Sequence, residues 1–181
     1  EDPVYLRTLR REAEEAGRLS DMHVLRAVAI GEHAGRPWLA VEYTEGELLD
    51  RRVVQEGVLA PAEAVAVAIQ VARGLRYAHS HGCIHGSLGP ACIIMSGGLA
   101  KVVDTGLTPP PGAERAPARA PYLAPEREAP GSAPNVGWDL YALGATTYFI
   151  LTGRPPEGTP PAPRELRPEI PDGTAHVVRR L

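Results

Sequence analysis

Apolar and charged positions alternate at helical spacing at the start of the chain. In EDPVYLRTLRREAEEAGRL, Leu6, Leu9, Ala13 and Ala16 share one face and the charged residues take the other. Asp2 suits the N-cap and Pro3 the first helical position, where its missing N–H costs nothing. The period then shortens. VLRAVAIGE and RPWLAVEYT read as strands joined by the turn HAGR. GELLDRRVVQEG predicts a short helix, and Pro61 opens a long one, PAEAVAVAIQVARGLRYAHSHG. That helix is apolar on most sides, so it is expected to be buried, with Gly82 as its stop. CIIM and LAKVVD on either side of Gly97 and Gly98 predict a hairpin. A proline-rich irregular stretch covers 108–125, an apolar helix runs from about Asp139 to Thr152, and a loop over 154–172 leads to a last helix near Thr174. No internal repeat is visible.

Composition narrows the function classes. A chain of 181 residues holds one domain with a real core, or most of a larger one. A net charge of −3 gives no electrostatic footprint for nucleic acid or an anionic membrane. The cysteines, Cys83 and Cys92, are too few for a disulfide framework, and no charged-then-apolar leader opens the chain. LYALGATTYFILTG is too short to span a bilayer. A soluble, cytoplasmic protein is expected. Lys101 is the only lysine, so almost all positive charge is arginine.

The order of short motifs carries a resemblance. HGSLGPAC at 85–92 is similar to the catalytic-loop pattern H-R-D-L-x-x-x-N, DTG at 104–106 stands where D-F-G belongs, and APE at 124–126 is intact. Asp139 in GWDLYALG resembles the buried aspartate opening the central helix of a kinase large lobe. RREAEEAGRL resembles the small lobe's helix, with Glu12 at its ion-pair position. WLAVEYTEGEL resembles the last small-lobe strand and the hinge. On these residues the chain resembles the protein kinases, particularly the bacterial Ser/Thr type. The resemblance implies an α+β, kinase-like fold. Residues 1–44 would be a partial small lobe of one helix, two strands and the start of the hinge. Residues 45–181 would be a mainly helical large lobe, truncated at its C-terminus. The Gly-rich loop and the strand lysine have no counterpart here.

The departures from the pattern fall on the chemistry. Kinase catalysis depends on metal-held phosphates and a carboxylate that receives the hydroxyl proton. Ser87 stands in the place of that carboxylate, Gly86 in that of the arginine that reads a phosphorylated activation loop, and Gly89 in that of the catalytic-loop lysine. Cys92 replaces the asparagine that holds the second magnesium, and a soft thiol is a poor ligand for that ion. Thr105 puts a hydroxyl where D-F-G has its phenylalanine, and Arg119 replaces a threonine that braces the base. A general base is worth about 10²–10⁴ in rate. The resemblance therefore implies no intact catalytic set at His85, Ser87, Gly89 and Cys92. It leaves one metal carboxylate, Asp104, and a nucleotide-binding set of Val41 (gatekeeper), Glu42 and Thr44 (hinge) and Ile94 (beneath the adenine).

Several of these residues also have a plainer reading. HSHGCIH brings His79, His81, Cys83 and His85 to alternate positions, as a metal site does, but the turn within it breaks any common face. Asp-Thr-Gly also occurs in aspartic proteases, and one copy would require a homodimer of mostly β domains, which the helices at 61–81 and after Asp139 oppose. His85 reads as a core histidine, Asp139 as an acceptor for catalytic-loop amides, and Glu12 as a solvated charge. The expected function is a pseudokinase-type regulatory or scaffolding module in signalling. It can take ATP and magnesium but requires neither, and its partners are proteins (a kinase, a substrate or a signalling protein), with no nucleic acid and no membrane contact from this segment. The alternative is a weakly active, ATP-dependent Ser/Thr protein kinase.

Overall fold

The computed structural model of the protein describes residues 3–34, 36–105, 119–129 and 131–181. The expected Asp2 cap, the side chains of Leu6 and Leu9, and the irregular segment through residue 118 lie outside them. Helix α1 (Pro3–Ala16) buries Ala13 and Ala16 at its C-terminal end. Strands β1 (Ala27–His33) and β2 (Arg36–Val41) pair antiparallel, with Ile30 opposite Leu39. Gly31 faces Trp38, and a Cβ there would collide with the indole, so the ring lies across the strand only because position 31 is glycine.

The second sheet corrects the sequence reading at two points. Glu47–Leu48, expected as the start of a helix, form a short strand β3 that pairs with Ile94 and Met95 of β4 (Ile93–Ser96). Gly46 lets the two chains come that close, because a Cβ at that position would lie 2.9 Å from Ile94 Cγ2. Helix α2 (Leu49–Glu56) follows directly. Cys92, expected in a strand, closes a 3₁₀ turn (Pro90–Cys92) just before β4. Proline opens such a turn readily and the Cys92 amide bonds the Gly89 carbonyl at 2.9 Å. β5 (Leu99–Val102) completes the predicted hairpin, with Gly97 and Gly98 both at positive φ, as a two-residue turn requires.

Helix α3 (Pro61–Ser80) buries one face only: Ala64, Val67, Val71, Gly74, Leu75 and Ala78. Its all-round apolar appearance comes from alanines, which tolerate exposure, and Ile69 on the far side is 47% exposed. Helix α4 begins at Val136, earlier than expected, because Asn135 accepts the Gly137 amide as its cap at 2.9 Å. It runs to Thr152, is buried nearly all round, and ends on Gly153 in the left-handed conformation. The stretch read as loop holds a further short helix, α5 (Pro163–Leu166), and α6 spans Asp172–Val178. The main core joins Leu49, Val71, Ile93, Val102, Ile150 and Leu151. Each such side chain contributes about 1.5–3 kcal/mol on burial. Among the described residues no helix is long and apolar enough to cross a membrane.

Candidate functional site

The segment 85–92 is held from below by one carboxylate. Asp139, fully buried in the first turn of α4, accepts the His85 amide on Oδ2 at 2.9 Å and the Gly86 amide on Oδ1 at 2.7 Å. His79, from the last turn of α3, donates through Nε2 to the same Oδ2 at 2.7 Å. Three donors satisfy a charge that would otherwise be prohibitive in an apolar helix. The expected role of Asp139 is the one observed.

From the other side, His85 is buried and its Nε2–H donates to the Val103 carbonyl at 3.0 Å, tying the loop to the strand that ends before Asp104. Burial opposes the charged form of its ring, but the Cys92 thiol and the Asp139 carboxylate outweigh burial and raise its pKa. The alternating cluster around it is pulled apart: His81 Nδ1–H donates to the Tyr77 carbonyl at 2.9 Å, and the Cys83 thiol faces the His81 carbonyl at 3.9 Å.

The candidate chemical positions divide into buried and exposed sets. Ser87 is 3% exposed and Cys92 2%, and the Cys92 thiol donates to the Ser87 carbonyl at 3.7 Å. Gly89 is extended, and a Cβ there would meet Tyr122 at 3.6 Å, an ordinary contact. Tyr122 is itself buried, which pushes its phenol up beyond its ordinary value, and it meets Phe149 edge to face. Asp104 is exposed with φ +57, a left-handed conformation that aspartate tolerates better than most residues. Thr105 is buried, and its hydroxyl has no hydrogen-bond partner among the described residues. Val41 is 43% exposed at the end of β2, and Thr44 and Ile94 are half-buried.

Two contacts were not legible in the sequence. Lys101 of β5 forms an ion pair with Glu42, and that hydrogen bond holds the Glu42 carboxyl below its ordinary value against the burial that raises it. The Glu42 amide meanwhile donates to the Arg26 carbonyl at 2.9 Å, which leaves it unavailable to a ligand. Arg127, directly after APE, donates to the Gly86 carbonyl while its guanidinium lies 4.7 Å from the centroid of the Trp138 ring. The absence of an arginine at 86 was the one available hint of that contact.

Towards a metal-held phosphate, these positions present one carboxylate and one soft thiol. Among the described residues no group of three or more His, Cys, Asp or Glu side chains could hold a metal. The Cys92 thiol is turned onto the Ser87 carbonyl, Asp104 offers a single carboxylate, and the only lysine is occupied by Glu42.

Comparison with known proteins identifies the family. The protein kinase domain model matches residues 1–167. The chain is 32% identical over 200 residues to the serine/threonine-protein kinase PknH of Mycobacterium tuberculosis, covering 99% of this chain and 32% of that protein. It is 32% identical over 174 residues to the probable serine/threonine-protein kinase PknB of Corynebacterium glutamicum, covering 88% of this chain and 27% of that one. It thus spans about a third of the length of such relatives. Among solved structures, a mutant of the Mycobacterium tuberculosis PknI kinase domain superposes with a TM-score of 0.80 at 29% identity, covering 98% of this chain and 71% of that one. With its loop organised by a buried aspartate, and a family match reaching from its first residue into α5, the chain belongs to the protein kinase family, of the bacterial Ser/Thr type.

Proposed function

We propose that this chain is a pseudokinase-type regulatory or scaffolding module: a kinase fold whose catalytic loop is kept as structure and whose phosphoryl-transfer chemistry is lost. Residues 1–44 are the rear of its small lobe and 45–181 its large lobe. The observation that carries this reading is Ser87, a neutral, buried hydroxyl where the proton-accepting carboxylate belongs. A hydroxyl neither takes the substrate proton nor orients the nucleophile as an anion does. Gly89 supplies no cation for the transferring phosphoryl group, and Cys92 no oxygen for a second magnesium. His85 acts as a strut between Asp139 and Val103, not as a general base. Val41, Glu42, Thr44 and Ile94 remain as the adenine end of a nucleotide site, with Asp104 as its one metal carboxylate. The function left to such a fold is binding to protein partners.

The reading of a weakly active Ser/Thr protein kinase is favoured by one specific observation. The Asp139–His85–Gly86 frame beneath the loop is fully formed, and the named relatives are kinases. Incubation of the purified chain with labelled ATP, magnesium and generic protein substrates separates the two. No incorporation above background is expected, and Ser87→Asp with Cys92→Asn should remain inactive because the phosphate end still lacks its cations. Magnesium-dependent incorporation abolished by Asp104→Asn would replace this reading with the kinase one.

A further inference from the structure

Helix α3 carries an exposed stripe on the side away from the core. Ile69, Arg73 and Arg76 follow at spacings of four and three, which places them on one face. Among the described residues neither guanidinium has a hydrogen-bond or ion-pair partner. Several other arginines of this chain are paired: Arg10 with Glu32, Arg52 with Glu56 and Glu63, Arg164 with Asp172, Arg167 with Glu169. Arg73 and Arg76 lie one turn apart on a chain of net charge −3, and they border the same groove.

They border a groove of about 440 Å³, whose other walls are Asp21, Met22, His23, Tyr77 and Ser80. Met22 is 61% exposed, so the groove offers an apolar wall beside its cations. Its walls are fixed from behind. The Tyr77 hydroxyl accepts the Ser20 amide at 3.2 Å, Asp21 Oδ1 accepts the His23 amide at 2.8 Å, and His23 Nδ1–H donates to the Ala100 carbonyl at 3.0 Å. Gly74 lets the helix seat directly against this segment, since a Cβ there would lie 2.7 Å from the His23 carbonyl oxygen. A preformed groove binds without first ordering its walls. The one carboxylate in it, Asp21, is partly engaged by the His23 amide, so positive charge prevails.

We propose that this groove docks a short acidic segment of a partner protein. A carboxylate side chain bridges Arg73 and Arg76, and a neighbouring apolar side chain packs on Met22 and Tyr77. The groove is too small for a folded domain and suits a few extended residues. The proposal rests on the reading of the chain as a protein-binding module and names the chemistry of its partner. Phosphoryl transfer by the chain would overturn that reading and leave the groove's binding unaltered, so the two fail separately.

The test is fluorescence anisotropy with a fluorescein-labelled peptide of alternating glutamate and leucine, against the whole chain. A dissociation constant on the order of 10–100 μM is expected, weakening as salt is raised. Arg73→Glu combined with Arg76→Glu should weaken binding about tenfold or more, and Met22→Ser about threefold, while Arg154→Glu, an exposed arginine elsewhere, changes nothing. Circular dichroism melting confirms that each variant is folded. Undiminished binding by the doubly reversed variant overturns the proposal, as does equal affinity for a lysine–leucine peptide. Equal competition by a single-stranded oligonucleotide overturns it too, because the surface would then take any polyanion.

Discussion

The Asp139 carboxylate and the Gly86 amide meet at 2.7 Å although 53 positions separate them in the chain. With the His85 amide on its other oxygen, Asp139 is the internal support of the catalytic-loop segment. Asp139→Ala would leave those two amides and His79 without their acceptor, and an orphaned buried donor costs about 1–3 kcal/mol. A loss of about 3 kcal/mol or more is expected in urea denaturation, with faster hydrogen exchange at His85 and Gly86 before any global change.

Restoring family residues one at a time should have opposite consequences at neighbouring positions. Gly86 has φ +73, so Gly86→Arg forces a side chain into the left-handed region and brings a second guanidinium towards Arg127. A cost of about 1–2 kcal/mol is expected. Gly89 is extended and its Cβ direction meets only the Tyr122 ring at 3.6 Å, so Gly89→Lys should stay within about 0.5 kcal/mol of the parent. Chemical denaturation of both variants side by side checks the contrast.

Thr105 buries a hydroxyl that has no hydrogen-bond partner among the described residues. Thr105→Val keeps the shape and removes the unsatisfied group, so stability should rise by about 1 kcal/mol. A drop in the thermal midpoint would show that the hydroxyl is engaged.

Lys101 and Glu42 join β5 to the end of β2. Because the folded state lowers the Glu42 pKa below its ordinary value of 4.5, the pair contributes stability above that pH, and the contribution is lost as pH falls through the lowered value. Lys101→Met should lower stability between pH 7 and 8, where the pair's contribution is fully present, and leave a shallower fall as pH drops below about 4.5. Denaturation midpoints across that range give the comparison.

Nucleotide binding should be weak. Ile94 and Thr44, the proposed adenine end, are half-buried, while Gly89 stands in place of a lysine at the proposed phosphate end and Lys101 is held by Glu42. Titration calorimetry with ATP should give an affinity no better than high micromolar, about −5 to −6 kcal/mol, with little gain on adding magnesium. A low-micromolar constant that requires magnesium would show a complete site.

By itself the sequence determined the parts that depend on local chemistry. The period of apolar residues placed α1, α3, α4 and the hairpin, Gly97 and Gly98 placed its turn, and the order of HGSLGPAC, DTG, APE and GWDLYALG pointed to the family. It also exposed the missing carboxylate, lysine and asparagine, because a residue's charge is a property of its identity alone. Boundaries set by distant partners were not legible. Glu47–Leu48 became a strand because β4 supplied the pairing, and α3 is buried on one face because packing, not alanine content, decides burial. The tertiary structure alone set Lys101 against Glu42, Arg127 against Gly86, and Arg73 and Arg76 beside the loop of Met22. Such pairings arise where separate segments converge, and only the fold fixes which segments those are.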